Sequence, residues 1–412
     1  MQSSILQRFL QTPLHIAVVT ETYPPEINGV ARTVGLMVDG LLERGHHIEL
    51  IRPRQTGDRD RVCPTTLNGF EERLTVGIPI PKYPQLQLGL TRIRRLVHAW
   101  SERRPDIVHV VTEGPLGWSA LFAARQLGIP VVSDFHTNFH DYSRHYGFGW
   151  ISGLVTHYLR ALHNRTDRTY VPTREMRDRL SSLGFERLEI VGRGIDTALF
   201  SPARHSEELR HSWGWPYGAP VALYVGRLAP EKNLRLFVET VRAIQHERPE
   251  LRVVIVGDGP MGAQLRAAHP DFHFAGMRTG EDLAAHYAST DFFFFPSLSE
   301  TFGNVTLEAL ASGLAVVAFD YAAARQHIVH GHTGLLAGRD DNGSFREHAM
   351  RLVREPAEAQ MLGRQARTAM ELLSWSKTID ELEDSLIKLA HTHSAGRTAS
   401  ATDAPDQPGS LA

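Results

Sequence analysis

Ala222-Leu223-Tyr224-Val225-Gly226-Arg227-Leu228-Ala229-Pro230-Glu231-Lys232-Asn233 decides the fold class of this 412-residue chain. The run Ala222–Val225 has no charged position, which suits a strand buried on both faces of a helix-covered parallel sheet. After Gly226 and a polar loop, apolar residues recur at helical spacing over Leu234–His246, and Arg252–Val256 reads as the next buried strand. Strand, loop, helix, strand is a βαβ unit, and right-handed crossovers make such a sheet doubly wound. Ligands of these sheets bind beyond the strand carboxyl ends, where Arg227 and Lys232 flank the loop. Two cations beside a helix N-terminus suit a pyrophosphate. This loop alone leaves open a pair of solvated surface charges.

The alternation continues both ways. Downstream, Phe272–Ala275, Phe292–Phe295 and Ala315–Ala318 read as strands, with helices over Met261–Ala268, Glu281–Ala288 and Val305–Ala311. Upstream, strands are expected at His15–Thr20, Ile48–Ile51, Ile107–Val111, Val131–Ser133, Thr169–Val171 and Glu189–Val191. Ser201–Pro220, rich in Pro, Trp and Gly, separates the two series. The expected architecture is α/β: two Rossmann-like doubly wound domains, 1–200 and 201–372, facing across a cleft. A terminal helix over 373–392 follows, and the Ser/Ala/Pro/Gly-rich stretch 393–412 is expected to be disordered.

Apolar residues at 42% and charged residues at 22% are ordinary globular values. The longest apolar runs fall far short of the ~18 residues of a membrane span. A single cysteine, Cys63, cannot form an internal disulfide, which favours a reducing compartment and a cytoplasmic location. Residues 1–200 carry a net charge of +4 and the remainder −6, with no clustered basic footprint of a nucleic-acid binder. Two basic amphipathic stretches, 90–104 and 150–168, can lie on anionic lipid at the inner face of a membrane or can pack on the sheet.

Other motifs cluster after strands. Gly257-Asp258-Gly259-Pro260-Met261-Gly262 matches G-x-G-x-x-G, but no carboxylate ends the next strand to hold a ribose, so a tight strand-to-helix turn is the favoured reading. Glu300 lies in the loop after Phe292–Phe295, and Glu308 lies in the following helix. The two could accept hydrogen bonds from two hydroxyl-bearing parts of one ligand, with amides near Gly303 and Asn304 exposed at the helix start. His136, in Ser133–His140, and Asn28-Gly29 follow strands of the first half. Asp58-Arg59-Asp60 resembles a metal-binding D-x-D but lies in a charged loop, and no metal is expected.

Taken in order, Asn28-Gly29, His136, Gly226-Arg227…Glu231-Lys232, Gly257-Asp258-Gly259-Pro260 and Glu300-x7-Glu308 resemble glycosyltransferase family 4 over about residues 13–340. The resemblance implies the GT-B architecture, its last helix crossing back to the first domain, and a retaining hexosyl transfer without metal or cofactor. It implies that Arg227 and Lys232 hold the diphosphate of a nucleotide-sugar donor, that Glu308 binds the ribose hydroxyls, and that Glu300 binds the donor-sugar hydroxyls. Backbone amides at Gly303 and Asn304 add contacts, Gly29 approaches the phosphate from the other domain, and His136 stands near the transferred sugar. Arg227, Lys232, Glu300 and His136 form the expected catalytic set. Glu21–Ala31 and His136–Phe139 look most like α-mannosyltransferases and lipid glycosyltransferases. GDP-mannose is therefore the first donor and a lipid or lipid-linked glycan the acceptor. A UDP-sugar-dependent diacylglycerol glucosyl or glucuronosyl transferase is the alternative. A GT-B sugar epimerase, an NAD-binding oxidoreductase and a non-catalytic nucleotide-sugar binder are the rivals from other classes.

Overall fold

A computed structural model describes residues 13–26, 28–55, 58, 65–80, 83–136 and 151–402. Among them, the first sheet comprises β1 (His15–Val19), β2 (His47–Pro53), β3 (Thr65–Leu67), β4 (Phe70–Ile80), β5 (Tyr83–Leu90), β6 (Ile107–Val110), β7 (Val131–Asp134), β8 (Arg168–Val171) and β9 (Leu188–Ile190). Its order is β3-β4-β2-β1-β6-β7-β8-β9, with β5 beside β4. The pairs from β4 through β9 are parallel, whereas β3 and β5 run antiparallel to β4. Strands β3–β5 lack the uninterrupted apolar run of the central strands. In β4 the charges of Glu71, Glu72 and Arg73 are instead satisfied by Arg103, Arg52 and Glu49.

The second sheet comprises β10 (Val221–Val225), β11 (Arg252–Val256), β12 (His273–Gly276), β13 (Phe292–Phe295), β14 (Ala315–Phe319) and β15 (Leu335–Ala337). All its pairs are parallel, in the order β12-β11-β10-β13-β14-β15. The order reverses between β10 and β13, as it does between β1 and β6 in the first sheet. Such switch points open a crevice at the strand carboxyl ends.

The helix Trp375–Thr402 returns to the first domain. Ile379, Leu382 and Leu386 share a core with Val34, Val38 and Leu41 of the helix Gly29–Glu43. Arg44 bonds Asp380 at 2.7 Å, and His46 pairs with Glu383 at 3.1 Å. This helix continues through 393–402, part of the stretch expected to be disordered. Extending a packed helix through an alanine-containing segment costs far less than nucleating one, and no proline intervenes before Pro405. Residues 403–412, like Cys63, lie outside the described residues.

Candidate functional site

The loop after β10 forms one 3₁₀ turn, Pro230–Lys232, and Asn233, at φ +52°, starts the helix Leu234–Glu247. Glu231 is 1% exposed, and its Oε1 lies 3.7 Å from Arg227 Nη1. The Glu231 carbonyl accepts the Leu298 amide at 3.1 Å, drawing in the loop after β13. Lys232 Nζ then donates to Glu300 Oε1 at 2.5 Å and to the Ser299 carbonyl at 3.2 Å. Ser297 Oγ donates to the same Glu300 oxygen at 2.7 Å. An ammonium has three N–H bonds, so this arrangement leaves one for a ligand oxygen.

Gly303, at φ +96°, is in the left-handed region that favours glycine, and it turns the chain into the helix Asn304–Ala311. On that helix Glu308 is 3% exposed. Its Oε2 accepts from Tyr287 Oη at 3.0 Å, and its Oε1 accepts from Arg32 of the first domain. Burial pushes the Tyr287 phenol well above its usual range, which keeps it a donor. The Arg32 guanidinium also lies 5.0 Å from the centre of the Phe200 ring.

From the first domain, Asn28 caps the helix Gly29–Glu43 by accepting the Ala31 amide at 2.8 Å. Gly29 faces the start of the Asn304 helix: a Cβ on it would sit 3.9 Å from Asn304 Nδ2. The His136 carbonyl accepts Thr301 Oγ1 at 2.8 Å across the cleft. The His136 ring bonds Asp134 at 3.1 Å, and the other Asp134 oxygen lies 3.0 Å from His109 Nε2. Burial alone would raise the Asp134 carboxyl, but the two imidazoles outweigh it and hold the group well below the usual range. Gly29, His136, Lys232, Glu300, Gly303, Asn304 and Glu308 thus meet at one interdomain cleft. Arg227 belongs to the loop that carries Lys232.

Other sequence features stand apart. Asp58 forms a buried two-pronged pair with Arg52, at 2.6 and 3.1 Å, while Asp60 and residues 137–140 lie outside the described residues. Among the described residues no group of three or more His, Cys, Asp or Glu side chains could hold a metal ion. The 257–262 turn packs on the Gly226 loop, where a Cβ on Gly257 would overlap the Gly226 carbonyl and one on Gly259 the Leu228 backbone. Behind Phe302, burial lowers the His327 imidazole to about 4. An unfolded histidine titrates near 6.5, so below that pH the unfolded chain takes up a proton that the folded chain refuses. Stability therefore falls as pH drops from about 6.5 to about 4, by roughly 2–3 kcal/mol, and then levels. Urea unfolding at both ends of this window checks it, and His327→Leu should flatten the slope.

Two family models cover most of the chain: Glycosyltransferase Family 4 over residues 27–199 and Glycosyl transferases group 1 over 219–355. A GDP-mannose-dependent alpha-mannosyltransferase of Mycolicibacterium smegmatis is 34% identical over 372 residues, covering 90% of this chain and 96% of the relative. The chain belongs to glycosyltransferase family 4. An alpha-monoglucosyldiacylglycerol synthase of Streptococcus pneumoniae is a more distant relative, 27% identical over 74% of this chain and 71% of its own. In fold, this family 4 glycosyltransferase matches a sucrose-phosphate synthase from Thermosynechococcus elongatus with a TM-score of 0.74 at 18% identity, over 92% of this chain and all of the other. The two facing Rossmann-like domains are the GT-B fold.

Arg32 and Tyr287 of this family 4 enzyme lie outside the motifs, whereas Asp134, within Ser133–His140, and Thr301, beside Glu300, lie inside them without an expected role. Arg32 left a trace, because a cation in the first turn of a helix opposes the helix dipole and so asks for an outside partner. Tyr287 left none, since it sits in an apolar helical stretch that reads as core.

Proposed function

We propose that this glycosyltransferase moves a hexose with retention of configuration, mannose from GDP-mannose first, onto a lipid or lipid-linked glycan. The observation that carries the reading is the direct contact of Lys232 with Glu300 in the cleft that also contains Glu308. In this reading Arg227 and Lys232 bind the donor diphosphate, and Glu300 binds the sugar hydroxyls. Glu308, steadied by Tyr287, takes the ribose hydroxyls after these displace Arg32. The Gly303 and Asn304 amides and the Gly29 backbone line the phosphate and sugar. Cleavage puts negative charge on the leaving diphosphate, which the two cations and the helix N-terminus stabilise in a cleft closed to water. A phosphate oxygen of the donor accepts the acceptor's proton while the sugar passes through an oxocarbenium-like state. No metal ion or cofactor enters this scheme. The relatives' names support the donor choice.

Thermal-shift measurements with GDP-mannose, UDP-glucose and ADP-glucose test the donor. A ligand at 100 times its Kd adds about 2.7 kcal/mol, so the true donor should stand out. A response to UDP-glucose alone would favour the diacylglycerol glucosyltransferase reading, which the pneumococcal relative supports.

For a lipid acceptor, we assign contact with the inner membrane face to the 150–168 region more than to 90–104. Leu96 and Trp100 of the latter are buried, and Trp100 Nε1 bonds Glu49 at 3.1 Å, so half of its apolar face is spent on the sheet and only Leu90 and Ile93 remain exposed beside its cations. Leu154 is 65% exposed, Tyr158 42% and the neighbouring Phe122 45%. Tyr158 and Phe122 gather round Trp118 at 5.8 and 5.4 Å, with the Arg165 guanidinium 5.8 Å over its ring. No helix among the described residues is long and apolar enough to cross a membrane. The enzyme should float with anionic vesicles at low salt, and Leu154→Asp with Phe122→Asp should abolish flotation; equal flotation with neutral vesicles would remove the electrostatic part.

A further inference from the structure

Arg193 stands three residues past β9 and is buried. No carboxylate lies within ion-pair distance of it among the described residues. Its Nη1 donates to the carbonyls of Val191 at 3.3 Å and Gly192 at 3.0 Å, and its Nη2 lies 3.4 Å from His136 Nδ1. A guanidinium has only donors and stays charged, so the nitrogen facing it must present a lone pair. The other ring nitrogen, Nε2, lies 3.1 Å from Asp134 Oδ2, an acceptor. Only one form of the ring satisfies both neighbours: neutral, with its proton on Nε2. An imidazolium would set an Nδ1–H against the guanidinium.

We propose that Arg193 is a positioning residue, which holds His136 as the neutral Nε2–H tautomer and keeps a second positive charge off the carbon that becomes electron-poor during transfer. The second half rests on the proposed function, in which the transferred sugar lies beside His136. The groups facing this ring among the described residues are Asp134 from β7, Arg193 after β9 and Thr301 Oγ1 on its carbonyl, with His109 of β6 on the far Asp134 oxygen. In this state neither ring nitrogen is available as a general base, which agrees with transfer of the acceptor proton to the donor phosphate. Asp134 accepts from Nε2 in both the neutral Nε2–H ring and the doubly protonated one, so the Arg193 contact at Nδ1 is what selects between them.

Imidazole ¹⁵N NMR of the full-length enzyme reads the tautomer directly, without any variant. His136 should show a protonated Nε2 and a bare Nδ1. In Arg193→Met the ring should no longer be held in that single form, with Nδ1 becoming protonated in part, and kcat should fall by about tenfold with donor KM little changed. Arg193→Lys, which keeps a charged donor facing Nδ1, should restore the single form and the activity. A wild-type His136 with both nitrogens protonated, or with its proton on Nδ1, overturns the proposal, as does an Arg193→Met spectrum identical to wild type. If the spectra behave as expected and Arg193→Met keeps the wild-type kcat, Arg193 still positions His136, and it is the placement of the sugar beside that ring that fails.

Discussion

Lys232→Ala should lower kcat by about 10²–10³-fold, a loss of roughly 3–4 kcal/mol comparable with deleting one oxyanion donor. The ammonium is fixed before any donor arrives, by Glu300 Oε1 at 2.5 Å, the Ser299 carbonyl at 3.2 Å and the Phe295 ring 6.0 Å away. In the proposed reaction it therefore need not reorganise as charge develops on the leaving diphosphate, and the alanine variant should lose that preorganisation. Folding should survive, because Glu300 keeps Ser297 and its loop keeps the Leu298–Glu231 backbone bond. Because Lys232 and Glu300 touch, the double variant Lys232→Ala/Glu300→Gln should cost much less than the sum of the two single changes. Steady-state kinetics with saturating donor measure both; a Lys232→Ala enzyme with wild-type kcat would remove the assignment.

Gly257→Ala should destabilise the second domain by about 3 kcal/mol or more, placing it among the most damaging single substitutions. The residue has φ +131°, where an L side chain is strained, and its new Cβ would overlap the Gly226 carbonyl oxygen. Neither backbone can retreat cheaply. The Gly226 amide is tied to Val256 at 3.0 Å and the Gly257 amide to Gly276 at 2.8 Å, so displacing the turn also displaces the loop that carries Arg227 and Lys232. Chemical unfolding monitored on this domain checks the loss. A dinucleotide site built on the same glycines would behave differently: stability would hold, and only nucleotide binding would fail.

The two sheets divided unevenly between what could be read and what could not. In the second domain, β10, β11, β13 and β14 are apolar at nearly every position, so their limits lie within one residue of the expected ones. In the first domain, β4 carries Glu71, Glu72 and Arg73 in succession and resembles a solvated loop until Arg52, Glu49 and Arg103 are brought to it. The missing information there is long-range: the counter-charges lie on β2 and on the segment that follows the helix Ile93–Glu102. The same holds at the site. Glu300 and Glu308 were legible as a spaced pair, and Arg227 and Lys232 as a loop with two cations. That Lys232 and Glu300 touch, however, depends on β10 and β13 being neighbours.

Sequence alone determined the class of fold and the positions of most chemistry-bearing groups, because apolar runs, glycine turns and the spacing of charged residues are local properties of a chain. Tertiary structure decided which of those groups have partners. Arg32 meets Glu308 and Thr301 meets His136 only once the two domains face each other, and Arg193 meets the same imidazole only once β7, β8 and β9 lie side by side. Such contacts join residues from 57 to 276 positions apart. At those separations a charge or a hydrogen bond leaves no imprint on its own neighbourhood, and only the packed sheets bring the two halves of each pair together.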